Sequence, residues 1–360
     1  MINTQRVLDS FVGLVKVDNP SGAEGPMAQY VMARLRELGL DPSQDTKGNV
    51  FAEVPGRGEP LLLNAHLDSV APAVGKEPVV RDGYVYSAGE TVLGSDDLAG
   101  VAAILEAVTS LREDGGHHRA AEVVFTVEEE IGLNGARALD YSRIRSRQGI
   151  ALDLNGELGG ICVLAPAHDV IDVVVQGRPA HAGLAPEKGI DAVRVAAEAI
   201  AAMPLGRIDH ETTANIGVIT GGTAKNIVPA RVTIQAEARS RDEAKLDRQT
   251  EAMRQAFATA AAKYGAELEF HATRAYGPVR MPEDAPVVRL CRAAVEMVGL
   301  TPRLVETGGG SDVNIFNMHG IEAVNLSVGY HEIHTSDEHI AVADLERAAR
   351  LVEALLRVEA

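Results

Sequence analysis

Hydrophobic positions along the first half of the chain follow two alternating periods. In the opening segment, Val7, Leu8, Phe11, Leu14 and Val15 recur at helical spacing and predict an amphipathic helix. "MAQYVMARLRELGL" repeats that spacing, and Gly39 ends it. "PLLLNAHLD" is a continuous apolar run, the form of a strand buried on both faces. "DLAGVAAILEAVTSL" reads as a helix, "AEVVFTV" as a strand and "GIALDL" as another strand. Helices and short apolar strands in alternation predict a layered α/β domain with a mostly parallel sheet.

The pattern changes near Asp169. "DVIDVVVQG" alternates with period two, "EKGIDAVRVAAEAIAAM" reads as a helix, and "TTANIGVIT" and "AKNIVPARVTIQAEARS" read as strands. A helix follows in "EAKLDRQTEAMRQAFATAAAKYG", with Leu246, Met253, Phe257 and Tyr264 on one face, and then the strand "AELEFHATRA". The order βαββαβ is that of a ferredoxin-like unit. It is expected over 167–274, inserted into a catalytic domain made of 1–166 and 275–360. The alternation resumes after it, with "APVVRLCRAAVEMVG", "PRLVE", "SDVNIFNMH", "AVNLSV" and "ADLERAARLVEALLRV".

Composition narrows the classes of function. The 360 residues are 46% apolar and 24% charged, ordinary for a globular protein and enough for two domains. No apolar run reaches the roughly 20 residues of a membrane helix, and the N-terminus lacks a basic region followed by a long apolar stretch. Cys162 and Cys291 stand apart, outside any CxxC pattern, which fits a reducing, cytoplasmic setting. The net charge of −17 argues against nucleic acid or an anionic membrane as partner. It also makes any single carboxylate uninformative.

Candidate chemistry lies at the strand ends, where open α/β sheets gather ligands. "LLLNAHLDS" closes on His66 and Asp68, two side chains on one face. A metal-bound imidazole commonly gives its second N–H to a carboxylate, and a hydrogen-bonded turn pair is the plainer alternative. "VLGSDDLAG" sets Asp96 and Asp97 at a helix start, where either a helix cap or a metal-bridging acid fits. "VVFTVEEEIG" runs a strand into Glu128, Glu129 and Glu130, like charges that either face solvent or share a cation. "GIALDLNG" ends on Asp153, and "VGYHEIHTSDEHI" holds His331, His334 and His339. Taken together, histidines and carboxylates in these numbers suit zinc, with manganese or cobalt as substitutes, and two ions sharing a bridge. There is no G-x-S-x-G elbow and no activated cysteine. "TGGGSD" lacks the P-loop lysine and reads as a wall along which a substrate backbone passes.

"HLDSV", "GSDDLAGVAAILEA", "EEEIGLNGA", "GRPAHAG", "KNIVPA" and "HTSDEHI" together resemble one family across essentially the whole chain. It is the family of co-catalytic zinc hydrolases that includes peptidase T (tripeptide aminopeptidase), carboxypeptidase G, succinyl-diaminopimelate desuccinylase and acetylornithine deacetylase. "GSDDLAG" and "FTVEEEIGLNGA" are most similar to the peptidase-T-like branch. The resemblance implies His66 and Asp153 at one metal, Glu130 and His334 at the other, and Asp96 bridging both. It implies a cis peptide between Asp96 and Asp97, Asp68 orienting His66, and Glu129 as the general base. It further implies His181 of "GRPAHAG" as an oxyanion donor, contributed across a homodimer formed through the inserted lid. Asn226 and Arg239 would contact substrate, the arginine suiting a peptide carboxylate. The family's lysine two residues after the bridging acid is Leu98 here, a departure that bears on substrate. Glu128 carries no assignment.

The expected activity is therefore dizinc hydrolysis of the amide bond of short peptides. An N-acyl or N-carbamoyl amino-acid amidohydrolase on the same scaffold is the second enzyme expectation. A non-catalytic binding protein is a third, opposed by the intact ligand set and Glu129.

Overall fold

The computed structural model describes residues 1–358, which divide into two compact units. The first comprises 1–164, 280–306 and 311–358; the second comprises 165–279 with 307–310.

The first unit is built on a sheet whose central strands lie in the order Val50–Val54, Arg119–Thr126, Arg57–His66, Gln148–Leu154 and Glu322–Ser327. The last four run parallel; Val50–Val54 joins the edge antiparallel. Leu61, Leu62 and Leu63 are fully buried, as the continuous apolar run requires of a strand covered on both faces. Its neighbour Arg119–Thr126 is equally closed over its last six residues. Helix Thr4–Val15 buries Val7, Phe11, Leu14 and Val15 on the stripe read from the sequence, and Asn3 caps it by accepting from the Arg6 amide. Helix Ser95–Asp114 is buried along most of its length, packs against Thr4–Val15 and Val342–Arg357, and ends where Gly115 takes a left-handed φ of 62°. A small sheet formed by Pro78–Arg81, Tyr84–Ser87, His339–Ala341 and Tyr330–His331 adds to this unit.

The second unit holds strands Ala167–Gln176, Thr212–Gly221, Arg231–Ser240 and Glu267–Tyr276, with helices Ala192–Ala202 and Glu243–Tyr264. The strands pair antiparallel, with Ala167–Gln176 between Arg231–Ser240 and Glu267–Tyr276, the arrangement of a ferredoxin-like unit. Its core gathers Ile171, Val173 and Val175 with Leu246, Met253 and Phe257.

Two elements differ from the sequence reading. The first helix of this unit starts at Ala192, not Glu187, because Asp191 caps it by accepting from the Val193 and Arg194 amides. Pro186–Lys188 forms a single 3-10 turn before it. Likewise 224–230 is loop rather than strand, and Pro229 there has no amide to donate to a ladder.

Candidate metal centre

The site lies in the first unit, at the carboxyl ends of its parallel strands. His66 is the last residue of its strand and is buried. Its Nε2 lies 3.1 Å from an Asp96 carboxylate oxygen and 3.7 Å from Asp153. Its Nδ1 lies 3.4 Å from the Asp68 carboxylate and 3.0 Å from the Asp68 carbonyl oxygen. The Asp68 carboxylate also accepts from Ser21 Oγ and from the amides of Glu129 and Glu130, at 2.7, 2.9 and 3.2 Å. One buried acid thus orients the imidazole and holds the turn that carries the glutamates.

Asp96 presents a different oxygen to each histidine. Oδ1 faces His66, and Oδ2 lies 3.3 Å from His334 Nε2. That same Nε2 is 3.0 Å from Glu130 Oε1. His66 with Asp96 and Asp153, and Asp96 with Glu130 and His334, form two three-donor groups whose ligand atoms lie within 4.8 Å of one another. Glu129 falls in a third such group with His66 and Glu130. The peptide between Asp96 and Asp97 is cis. Asp97 turns away from this cluster: the segment Ser95–Asp114 is broken at Asp96 and Asp97, which are non-helical, and the Asp97 carboxylate accepts from the amides of Gly100 and His66, so it caps the helical run that follows the break.

Electrostatics show how unusual this gathering is. Burial pushes the Glu129 carboxyl well above the ordinary range, and the Asp153 charge adds to it. Burial also pushes Asp153 up, to about 7, against the pull of His66. His66 loses from burial, but hydrogen bonds to Asp153, Asp68 and Asp96 raise it well above an ordinary imidazole. Contacts with Asp96 and Glu130 raise His334 to about 10. Asp96 is held far below the carboxylate range: burial alone would raise it, and the His334 and His66 hydrogen bonds outweigh that. Among the described residues no lysine or arginine ion-pairs with Asp96, Asp153, Glu129 or Glu130. Four carboxylates against two imidazoles remain costly to bury in charged form. Imidazoles and carboxylates set around Asp96 fit a pair of divalent ions in place of the missing charge.

The three glutamates separate cleanly. Glu128 takes a positive φ of 51°, pairs with Lys47 at 2.6 Å and accepts from Asn134 Nδ2, so it is a structural residue. Glu130 faces His334. Glu129 is buried, and its carboxylate accepts no hydrogen bond among the described residues, which leaves it open for proton transfer.

Three groups around the cluster escaped sequence reasoning. The Glu338 carboxylate is buried and accepts from Gly94 N, Ser95 Oγ and Asp96 N at 2.8, 2.6 and 3.0 Å. It thereby ties the loop of His334 to the backbone of Asp96. Lys76 is also buried, donates to Asn19 Oδ1, and is pushed down to about 8 by burial despite Glu338 and Asp18. A Cβ on Gly94 would overlap the Lys76 ammonium and Ser69 Oγ, and Gly94 has φ 76°, so glycine is needed there. Tyr330 is buried with its hydroxyl 3.4 Å from both Asp96 and Asp153. Glu338 and Tyr330 flank His334 in "GYHEIHTSDEHI", which is the signal that could have marked them.

His181, Asn226 and Arg239 lie in the second unit. The exposed His181 accepts from the Gly183 and Leu184 amides at Nδ1, which places the ring proton on Nε2. The Ala182 amide donates to the Asn226 carbonyl, so these two segments meet. Arg239 pairs with Glu237 at 3.0 Å. In "TGGGSD", Gly310 has no room for a side chain because the Tyr276 ring lies against it. That contact accounts for this glycine without any ligand.

The family model described as Peptidase family M20/M25/M40 matches residues 62–358. The chain belongs to this family. The peptidase is a hydrolase acting on peptide bonds. It is similar to the aminopeptidase PepT of Bacillus cereus ATCC 10987, with 41% identity, a TM-score of 0.89, and 99% of this chain and 98% of that one covered. A tripeptidase of Staphylococcus aureus Mu50 superposes with a TM-score of 0.94 at 36% identity, with the same coverage. The peptidase is also 40% identical to the uncharacterized protein YqjE of Bacillus subtilis strain 168, over 99% of both chains. Among the described residues no helix is long and apolar enough to cross a membrane.

Proposed function

We propose that this peptidase is a di- or tripeptide aminopeptidase that works with two divalent ions, zinc in the first instance. The carrying observation is Asp96, whose two carboxylate oxygens address two different histidines. In this reading His66 and Asp153 hold one ion, Glu130 and His334 the other, and Asp96 both. When bound, such a pair would acidify the attacking water and polarise the scissile carbonyl. Glu129 takes a proton from the attacking water at its free carboxylate and returns it to the leaving nitrogen. Asp68 keeps His66 in one orientation and one tautomer. Tyr330 supplies a hydroxyl beside Asp96 and Asp153, and Glu338 holds the Asp96 backbone in place. In the second unit, the Nε2–H of His181 is a donor of the kind a developing oxyanion needs. Asn226 and Arg239 are the proposed substrate contacts, with assembly as a homodimer through this unit.

The named activities of the Bacillus cereus and Staphylococcus aureus relatives support the peptide class over the acyl amino acids. A panel of free di- and tripeptides beside N-acyl and N-carbamoyl amino acids, each with zinc, manganese or cobalt, tests it. Turnover of the tripeptides with a free amino terminus is expected. Turnover of the acylated compounds alone overturns the proposal.

A further inference from the structure

The opposite ends of the same parallel strands carry the reverse charge. Arg57 and Arg119 start two neighbouring strands, and their Cα atoms are directly in register. Like charges facing one another across a ladder are destabilising by themselves. Arg147 immediately precedes the third strand, Gln148–Leu154. The three arginines line one cavity of about 660 Å³ with His117 and His118.

None of the three arginines forms an ion pair among the described residues. Arg119 is half-buried and donates to the carbonyls of Glu59 and Pro60 and to Gln148 Oε1, all neutral acceptors. Burial lowers its pKa, partly offset by the nearby Glu59 charge. Arg57 donates to His117 Nε2, again a neutral acceptor. Two acids also line the cavity. Glu322 accepts from the Val287 amide, and Glu59 sits at the surface. Arg357 is committed to Asp114 and Glu353. Three guanidinium groups without a direct ion pair thus outnumber the two acids of the cavity, in a chain whose net charge is −17.

We propose that this cavity binds a small, multiply charged anion bearing phosphate or carboxylate groups. Guanidinium forks match both oxyanions bidentately, and a cavity of this size takes a small metabolite rather than a macromolecule. The ligand would bind at the far end of the strands that carry His66 and Asp153, so the site is separate from the metal cluster and does not rest on the reading of that cluster.

Calorimetric titration of the metal-loaded full-length chain with inorganic phosphate, and separately with benzene-1,3,5-tricarboxylate, tests the proposal. The comparison is the Arg57→Gln/Arg147→Gln double variant, whose substituted side chains are exposed. The wild type is expected to bind at least one of these anions at millimolar concentration or below. The double variant should bind it about tenfold more weakly or not at all, with peptide hydrolysis unchanged. Phosphate-only or tricarboxylate-only binding names the group the cavity takes. Absence of binding to both anions, or binding that the double variant retains in full, overturns the proposal.

Discussion

The parallel sheet of the first unit has two ends, and they solve the problem of crowded charge in opposite ways. At the carboxyl ends, Asp96, Asp153, Glu129 and Glu130 gather around two histidines with no lysine or arginine partner among the described residues. At the amino ends, Arg57, Arg119 and Arg147 gather with no acid paired to them. The acidic end is mostly buried, although His334 is exposed, and it is held by Asp68 and Glu338. The basic end is open, with two of its three arginines exposed. Burial decides what each end demands. A buried carboxylate cluster needs cations to be stable in its charged form, whereas exposed arginines are hydrated and only favour an anion.

Removal of metal is expected to have the largest effect. Exhaustive chelation should take peptide hydrolysis to background and lower the melting temperature, and the loss should depend on pH. His334 is raised to about 10 by Asp96 and Glu130. In the metal-free chain its protonated ring stabilises the fold fully below the ordinary histidine pKa of about 6.5, and that help disappears as pH rises through about 10. Metal binding needs the neutral ring. The gap in melting temperature between loaded and stripped protein should therefore widen from pH 6 to pH 9, as differential scanning fluorimetry would show. A gap that narrows contradicts the metal assignment of His334.

Glu129→Gln comes next. It should lower kcat by about 10²–10⁴, the range for loss of a general base, with metal content by mass spectrometry near wild type. If most activity survives, the base is another residue. Glu338→Ala should be milder, weakening metal affinity about tenfold or more, read by competition with a chromogenic chelator. Glu338→Gln should restore part of that affinity by retaining one acceptor oxygen, whereas a purely packing role would leave the two variants alike. The smallest effect belongs to the basic end. Arg57→Gln should change unfolding free energy by less than about 0.5 kcal/mol, or stabilise slightly by relieving Arg119. A large destabilisation in a denaturant titration would show that Arg57 is structural.

The acidic end was far more legible in the sequence than the rest. His66, Asp68 and Asp153 stand at the ends of apolar runs, and chain direction alone places such residues together in a parallel sheet. Residue type alone does not separate the paired Asp96 and Asp97, since a cap and a ligand are both aspartate, and only the resemblance assigns the bridge to Asp96; the contact of Asp97 with Gly100 marks it as the cap. Glu128 carries no assignment in the sequence because its partner Lys47 lies far back along the chain. Glu338 and Lys76 were missed for the same reason, their roles being contacts across long sequence separations. In the second unit, the false helix start at Glu187 shows a capping residue, Asp191, outweighing an apparent apolar period. The register of Arg57 with Arg119 is a product of strand pairing, so the basic end could not be seen before the sheet was.

The carboxylate of Asp68 has a further consequence. It receives the amides of both Glu129 and Glu130 while it faces the ring of His66. The proposed base and two proposed ligands, drawn from different strand ends, thus take their backbone positions from one common datum. A shift of one strand end against the other is thus opposed by three contacts to a single carboxylate, which favours constant distances among the three residues. Tolerance in the scaffold need not become tolerance at the reacting atoms.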